Sequence, residues 1–160
     1  MNTEIQRIKH AFKMEYNGSP WHGSSLLELL KGVDYLQARN RIFPNSHSIW
    51  ELVQHIYNWR EFVVKKMEGD SEFDIVLNTT HDWASIQVPT EEAWQKLLSQ
   101  LAESQQMIVE MLGGWLDDQL NDQVPGKDYT YYTLLHGMIK HDIYHAGQIA
   151  MTRKMLTIGG

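Results

Sequence analysis

The sequence predicts an all-α fold, a four-helix bundle with short additional helices in its connections. Four stretches carry apolar residues at three- and four-residue steps, the spacing that places them on one helical face. Capping residues stand where these stretches begin, and clusters of Gly, Pro, Asn and Ser separate them.

The first stretch runs from Thr3, a candidate cap, to about Tyr16, with Ile5, Ile8 and Phe12 as its stripe. Asn17-Gly18-Ser19-Pro20 ends it. A short apolar run over Leu26–Leu30 stops at Gly32, and Asp34 is placed to cap another brief helix through Ala38. Phe43-Pro44-Asn45-Ser46 is a turn signal.

The second long stretch spans about Ser48 to Glu68, with Leu52, His55, Ile56, Trp59, Phe62, Val63 and Met67 on one face. Residues 70–89 then read as a long connection, partly extended around Phe73–Leu77. Connections of that length are commonly functional. Pro89-Thr90-Glu91-Glu92 starts the third helix, with Thr90 as cap and two carboxylates against the positive end of the helix dipole. Its stripe is Trp94, Leu97, Leu98, Leu101, Ile108 and Leu112, stopped by Gly113-Gly114. A short helical piece is expected over Trp115–Leu120, before Val124-Pro125-Gly126. The last helix runs from about Thr130 to Leu156, with Leu134, Met138, His141, His145, Ile149 and Thr152 in line.

The chain's 160 residues are enough for one domain with a real core, and a single domain over 1–160 is expected. No apolar run is long enough to span a bilayer, and the first residues lack the basic start and apolar stretch of a secretion signal. A cytoplasmic protein with no membrane partner is the expectation. There is no cysteine, which removes disulfides, thiolate ligands and cysteine nucleophiles together. A net charge of −6 and the lack of any Lys/Arg cluster larger than a pair argue against nucleic acid as a partner.

Histidine is the informative residue. His141 and His145, four apart on one helix, project from the same side one turn apart. Eight histidines in 160 residues produce roughly 0.4 such pairs by chance, so the pair alone decides nothing. Placement decides more, because both lie on the apolar stripe of their helix and His55 lies on that of another. Each buried imidazole without partners costs on the order of 1–3 kcal/mol. One shared metal ion relieves all three. Three imidazoles suit zinc, nickel or iron better than magnesium or calcium, and leave a coordination position open.

The run from Leu134 to Ile149, centred on His136-Gly137-Met138-Ile139-Lys140-His141-Asp142-Ile143-Tyr144-His145, closely resembles the last-helix motif of the DinB-like (DinB/YfiT) superfamily. His47–Trp59, Trp21-His22-Gly23-Ser24-Ser25-Leu26 and Val124–Thr130 are similar to other parts of that family's pattern. The resemblance implies a four-helix bundle, commonly a homodimer. It places the family's metal ligands on His55, His141 and His145, with nickel or zinc as the ion. It also implies an enzyme acting on a small-molecule substrate. Relatives include S-transferases that use low-molecular-weight thiols such as bacillithiol or mycothiol, a mycothiol-dependent isomerase, and proteins classed as metal-dependent hydrolases.

Other residues carry weaker signals. His22, Tyr144 and His136 are candidate catalytic groups, with His136 about 140° around the helix from His141 and better suited to a pocket edge than to ligation. His47 is a further candidate at the mouth of the site; Gln148 edges the face of His145. His10 and His81 show no pattern. Glu51 reads as an exposed first-turn carboxylate, and Asp142 as a group that orients a neighbour. Trp50, Trp59 and Trp94 read as core. Arg60, Glu61, Lys65 and Lys66 read as a solvated helix face. Three functions follow: thiol transfer, hydrolysis, or a non-catalytic metal-binding stress-response protein.

Overall fold

The computed structural model describes residues 3–158, and four long helices dominate it. These are α1 (Glu4–Asn17), α4 (Ile49–Met67), α5 (Glu91–Gly113) and α6 (Tyr131–Ile158); two one-turn helices, α2 (Leu26–Leu30) and α3 (Tyr35–Arg39), lie between α1 and α4. A 3-10 turn over Asp117–Asn121 stands where a short helix is expected. Among the described residues no strand forms; Gln123 and Thr130 make one isolated bridge. Phe73–Leu77 is not extended in a sheet but carries buried Ile75 into the core.

The caps expected at Thr3, Asp34 and Thr90 form, and Ser48 adds a fourth that the sequence reading does not name. Thr3, Asp34, Ser48 and Thr90 each accept a backbone N–H at a helix start. Glu51 returns the favour at α4, accepting from Ser48 N at 2.8 Å to complete a capping box. It is buried rather than exposed, and it pairs with Arg41. The 3-10 turn also has a structural task, since the Asp117 carboxylate accepts from Glu4 N and Ile5 N at 2.9 and 3.0 Å. Those bonds hold its pKa below the usual carboxylate range.

The core forms two clusters. Ile5, Ile8 and Phe12 of α1 meet Phe62 and Val63 of α4, Ile108 and Leu112 of α5, and Leu135 and Met138 of α6. The second gathers Ile49, Leu52, Val53 and Ile56 of α4 with Trp94, Leu97 and Leu101 of α5 and Ile149 of α6. On α4, α5 and α6 a polar or charged side chain marks the boundary between them. Arg60 is fully buried there, donating to Asp142 Oδ2 at 2.6 and 3.1 Å and to Gln105 Oε1 at 2.8 Å. Gln105 in turn donates to Phe12 O at 3.0 Å. Arg60 is therefore an interior tie between four helices, not part of a solvated face. Lys66 is likewise buried, its Nζ donating to the carbonyls of Asp70 and Ser71 just past the end of α4. Helical periodicity alone reads such charges as outward because it cannot show that a buried carboxylate or carbonyl waits for them.

The order of the clusters fixes the topology. Both α4 and α5 run from the second cluster towards the first, whereas α1 and α6 run the other way. Trp50 and Trp94, near the starts of α4 and α5, lie 5.3 Å apart, so these neighbours are parallel. Parallel neighbours need a connection that returns along the bundle. With 19 residues in α4, that is about 28 Å of travel. Residues 68–90 make it, and they pass over the face where α4 meets α6.

The entry to α6 is held by Gly126, whose φ of 74° suits glycine and whose Cβ, if present, would stand 2.7 Å from Ser71 O. No helix among the described residues is long and apolar enough to cross a membrane.

Candidate metal centre

His55 lies midway along α4, between Leu52 and Trp59, on the face turned to α6. His141 and His145 face it from consecutive turns of α6. The ring centroids are 4.9 Å apart for His55 and His141, 4.7 Å for His55 and His145, and 4.4 Å for His141 and His145. One nitrogen from each ring lies within 4.8 Å of the others, so the group can hold a metal ion. His55 Nε2 and His141 Nε2 point at each other across 3.0 Å. Ligand nitrogens around a tetrahedral ion at about 2.0–2.1 Å are spaced roughly 3.4 Å apart.

The outward nitrogens fix two of the tautomers. His55 Nδ1 donates to Asp82 O at 3.0 Å, with Asp82 Oδ1 at 3.1 Å. His145 Nδ1 donates to Gln148 Oε1 at 2.6 Å. Each ring then keeps its Nε2 lone pair for the centre. His141 Nδ1 is buried without a partner.

Burial also keeps the rings neutral. It pushes His141 down to about 3, helped by His145, His55 and Arg60. His145 falls to about 4 by burial, against the opposing bond to Gln148. Burial lowers His55 as well, with the Asp82 carbonyl and carboxylate pulling the other way. Three neutral imidazoles with inward lone pairs are the donor set a divalent transition metal takes.

The return segment completes the site. Asp82 is buried, accepting from Trp59 Nε1 at 2.9 Å and from Asn78 N at 2.8 Å. Asn58 Nδ2 donates to His81 O at 2.9 Å, a second latch to α4. Trp83 is sandwiched between His55 and His47, with centroid distances of 3.8 and 3.7 Å and planes within 10° of parallel. Beside the histidines opens a cavity of about 560 Å³, walled by Trp59, Phe62, Val63, Leu134 and Met138.

A family profile described as the DinB superfamily matches residues 21–149, which include all three histidines. The chain belongs to the DinB superfamily. No curated protein and no solved structure matches it.

Not every candidate of this DinB-superfamily chain converges on the centre. Tyr144 does: it lines the cavity, 5.0 Å from the His145 ring. Gln148 reaches the site through His145, and His47 reaches it by stacking on Trp83. His22 lies elsewhere, exposed and paired with Glu15 at 2.5 Å. His136 turns towards α1, with Nε2 3.4 Å from Glu4 Oε1 and its ring against Tyr132. Asp142 orients Arg60 and not a metal ligand. Asp82 and Trp83 escape notice in the sequence, since neither sits on a periodic stripe. The one available signal is an acidic–aromatic pair inside a connection too long for a simple turn.

Proposed function

We propose that this protein is a divalent-metal-dependent enzyme with His55, His141 and His145 as ligands, transferring a low-molecular-weight thiol to small electrophiles. The observation that carries the reading is the convergence of three neutral imidazoles in the wall of an apolar cavity. Zinc, nickel or iron fits an all-nitrogen set. Held by these residues, such an ion would supply Lewis acidity and lower the pKa of a bound thiol.

The protein's own groups divide the remaining work. Asp82 and Gln148 hold two rings in one tautomer and orientation. Trp83 covers His55 and keeps water from one side. Burial raises the pKa of Tyr129, so at neutral pH this cavity residue remains a phenol able to donate a hydrogen bond. Both oxygens of Asp82 are already engaged, which leaves no free carboxylate in the lining to act as general base. That favours thiol chemistry, which needs no carboxylate of the lining because the thiol's proton can be lost to solvent. A sulfur–carbon bond forms and the electrophile's leaving group departs with its electron pair.

Hydrolysis is the second reading, with water in place of the thiol. It is favoured by the lack of any Lys or Arg in the lining to meet the carboxylates of a thiol such as bacillithiol. A single domain, a homodimeric assembly and a cytoplasmic location belong to the same proposal. Incubating metal-loaded protein with bacillithiol and a generic electrophile tests it. Conjugate formation that is lost in His141→Ala supports transfer; turnover of simple esters without thiol supports hydrolysis. Activity that survives chelation contradicts both.

A further inference from the structure

Gly137 stands inside the longest helix, in its second turn, and lines the cavity, and a Cβ built on it would meet nothing within 4 Å. A glycine inside a helix costs about 1 kcal/mol relative to alanine. Neither a left-handed φ nor a close backbone approach requires it there. What the missing side chain does is leave room, one helical turn before His141.

The chemistry of that room is one-sided. Trp59, Phe62, Val63, Leu134 and Met138 offer it carbon surface, and no Lys or Arg lines it. Its single carboxylate, Asp82, is buried and spent on Trp59, Asn78 and His55. An anionic group entering here would shed its hydration without a counter-charge from the protein, and a cationic one would find no free carboxylate. A neutral apolar group gains in proportion to the carbon surface it buries. The volume of about 560 Å³ is in the range of small-ligand sites.

We propose that this cavity binds a neutral, predominantly apolar or aromatic group of the substrate, admitted by the absence of a side chain at Gly137. The inference deepens the enzymatic reading, naming the substrate class of the same site, but its test needs neither metal nor turnover.

Isothermal titration calorimetry of metal-free protein with 2-naphthol and with naphthalene-2-sulfonate separates the possibilities. The neutral probe is expected to bind at least about tenfold more tightly than its anionic counterpart. Gly137→Leu, which fills the space while improving helix propensity, should weaken 2-naphthol by about tenfold or more. Gly147→Leu is the control, because Gly147 is also helical with open space around it but does not line the cavity. It should bind 2-naphthol as the wild type does. Equal affinity for the two probes, no saturable binding, or equal effects of the two leucines would overturn the proposal. Metal content measured on the same preparations as purified, before the metal is stripped for titration, keeps the readings apart. Metal bound without naphthol binding sinks the cavity inference alone, and naphthol bound without metal sinks the metal-centre reading alone.

Discussion

Trp83 stacks on His55 with ring centroids 3.8 Å apart and planes 7° from parallel, although 28 positions separate the two in sequence. The contact exists because α4 and α5 are parallel, so their connection must come back along the bundle and cross the histidine face. Its neighbour Asp82 grips the same ring from the edge through Nδ1.

Loss of the Asp82 carboxylate should therefore weaken metal binding while leaving the three ligands in place. Asp82→Ala is expected to lower affinity by about 10–100-fold, the usual effect of removing an outer hydrogen-bond partner of a ligating histidine. Competition titration against a chromophoric chelator reads this directly. Unchanged affinity would show that the backbone carbonyl of residue 82 alone positions the ring.

The buried tie between α4 and α6 makes a stability prediction. Removing one partner, as in Arg60→Ala, leaves Asp142 in the interior without its cation and should cost about 3–5 kcal/mol in urea unfolding. Replacing both, as in Arg60→Met with Asp142→Leu, should recover much of that loss, because neither charge then needs a partner. If the double variant is no more stable than Arg60→Ala, the pair is not the source of the effect.

Acid should destabilise the metal-free protein through its neutral histidines. In the unfolded chain an imidazole takes up a proton as pH falls through about 6.5, whereas His141 and His145 in the folded protein wait until about 3 and 4. Between those values the unfolded state binds more protons, so stability is full above about pH 6.5 and declines below it. Each histidine contributes roughly 1 kcal/mol per pH unit in that window. Urea midpoints of wild type and His141→Phe between pH 7 and 5 measure the difference. A parallel decline in both proteins would mean that other groups carry the acid sensitivity.

Much of this was legible in the residues themselves, and the exceptions share a cause. The stripes on α1, α4, α5 and α6, the caps at Thr3, Asp34 and Thr90, and the facing of His55, His141 and His145 follow from local spacing. Arg60, Lys66 and Glu51 read as outward because a charge on a helix looks solvated until its partner is known, and Asp142, Asp70 and Arg41 are 82, 4 and 10 positions away. His136 lies five positions before His141, and His22 belongs to a run that resembles the family pattern, but both are turned towards α1 in space. Asp82 and Trp83 act through a loop, where no period exists to mark a face. The parallel run of α4 and α5 was hidden for the same reason, since it depends on how residues 68–90 travel.

The claim beneath all of this is that one ion sits among three imidazoles. Elemental analysis of purified protein, alongside His55→Ala, His141→Ala and His145→Ala, addresses it most directly. The account predicts close to one equivalent of zinc, nickel or iron per wild-type chain, and a substoichiometric content in each variant that keeps its helical circular dichroism. A full equivalent retained by any folded variant would contradict it.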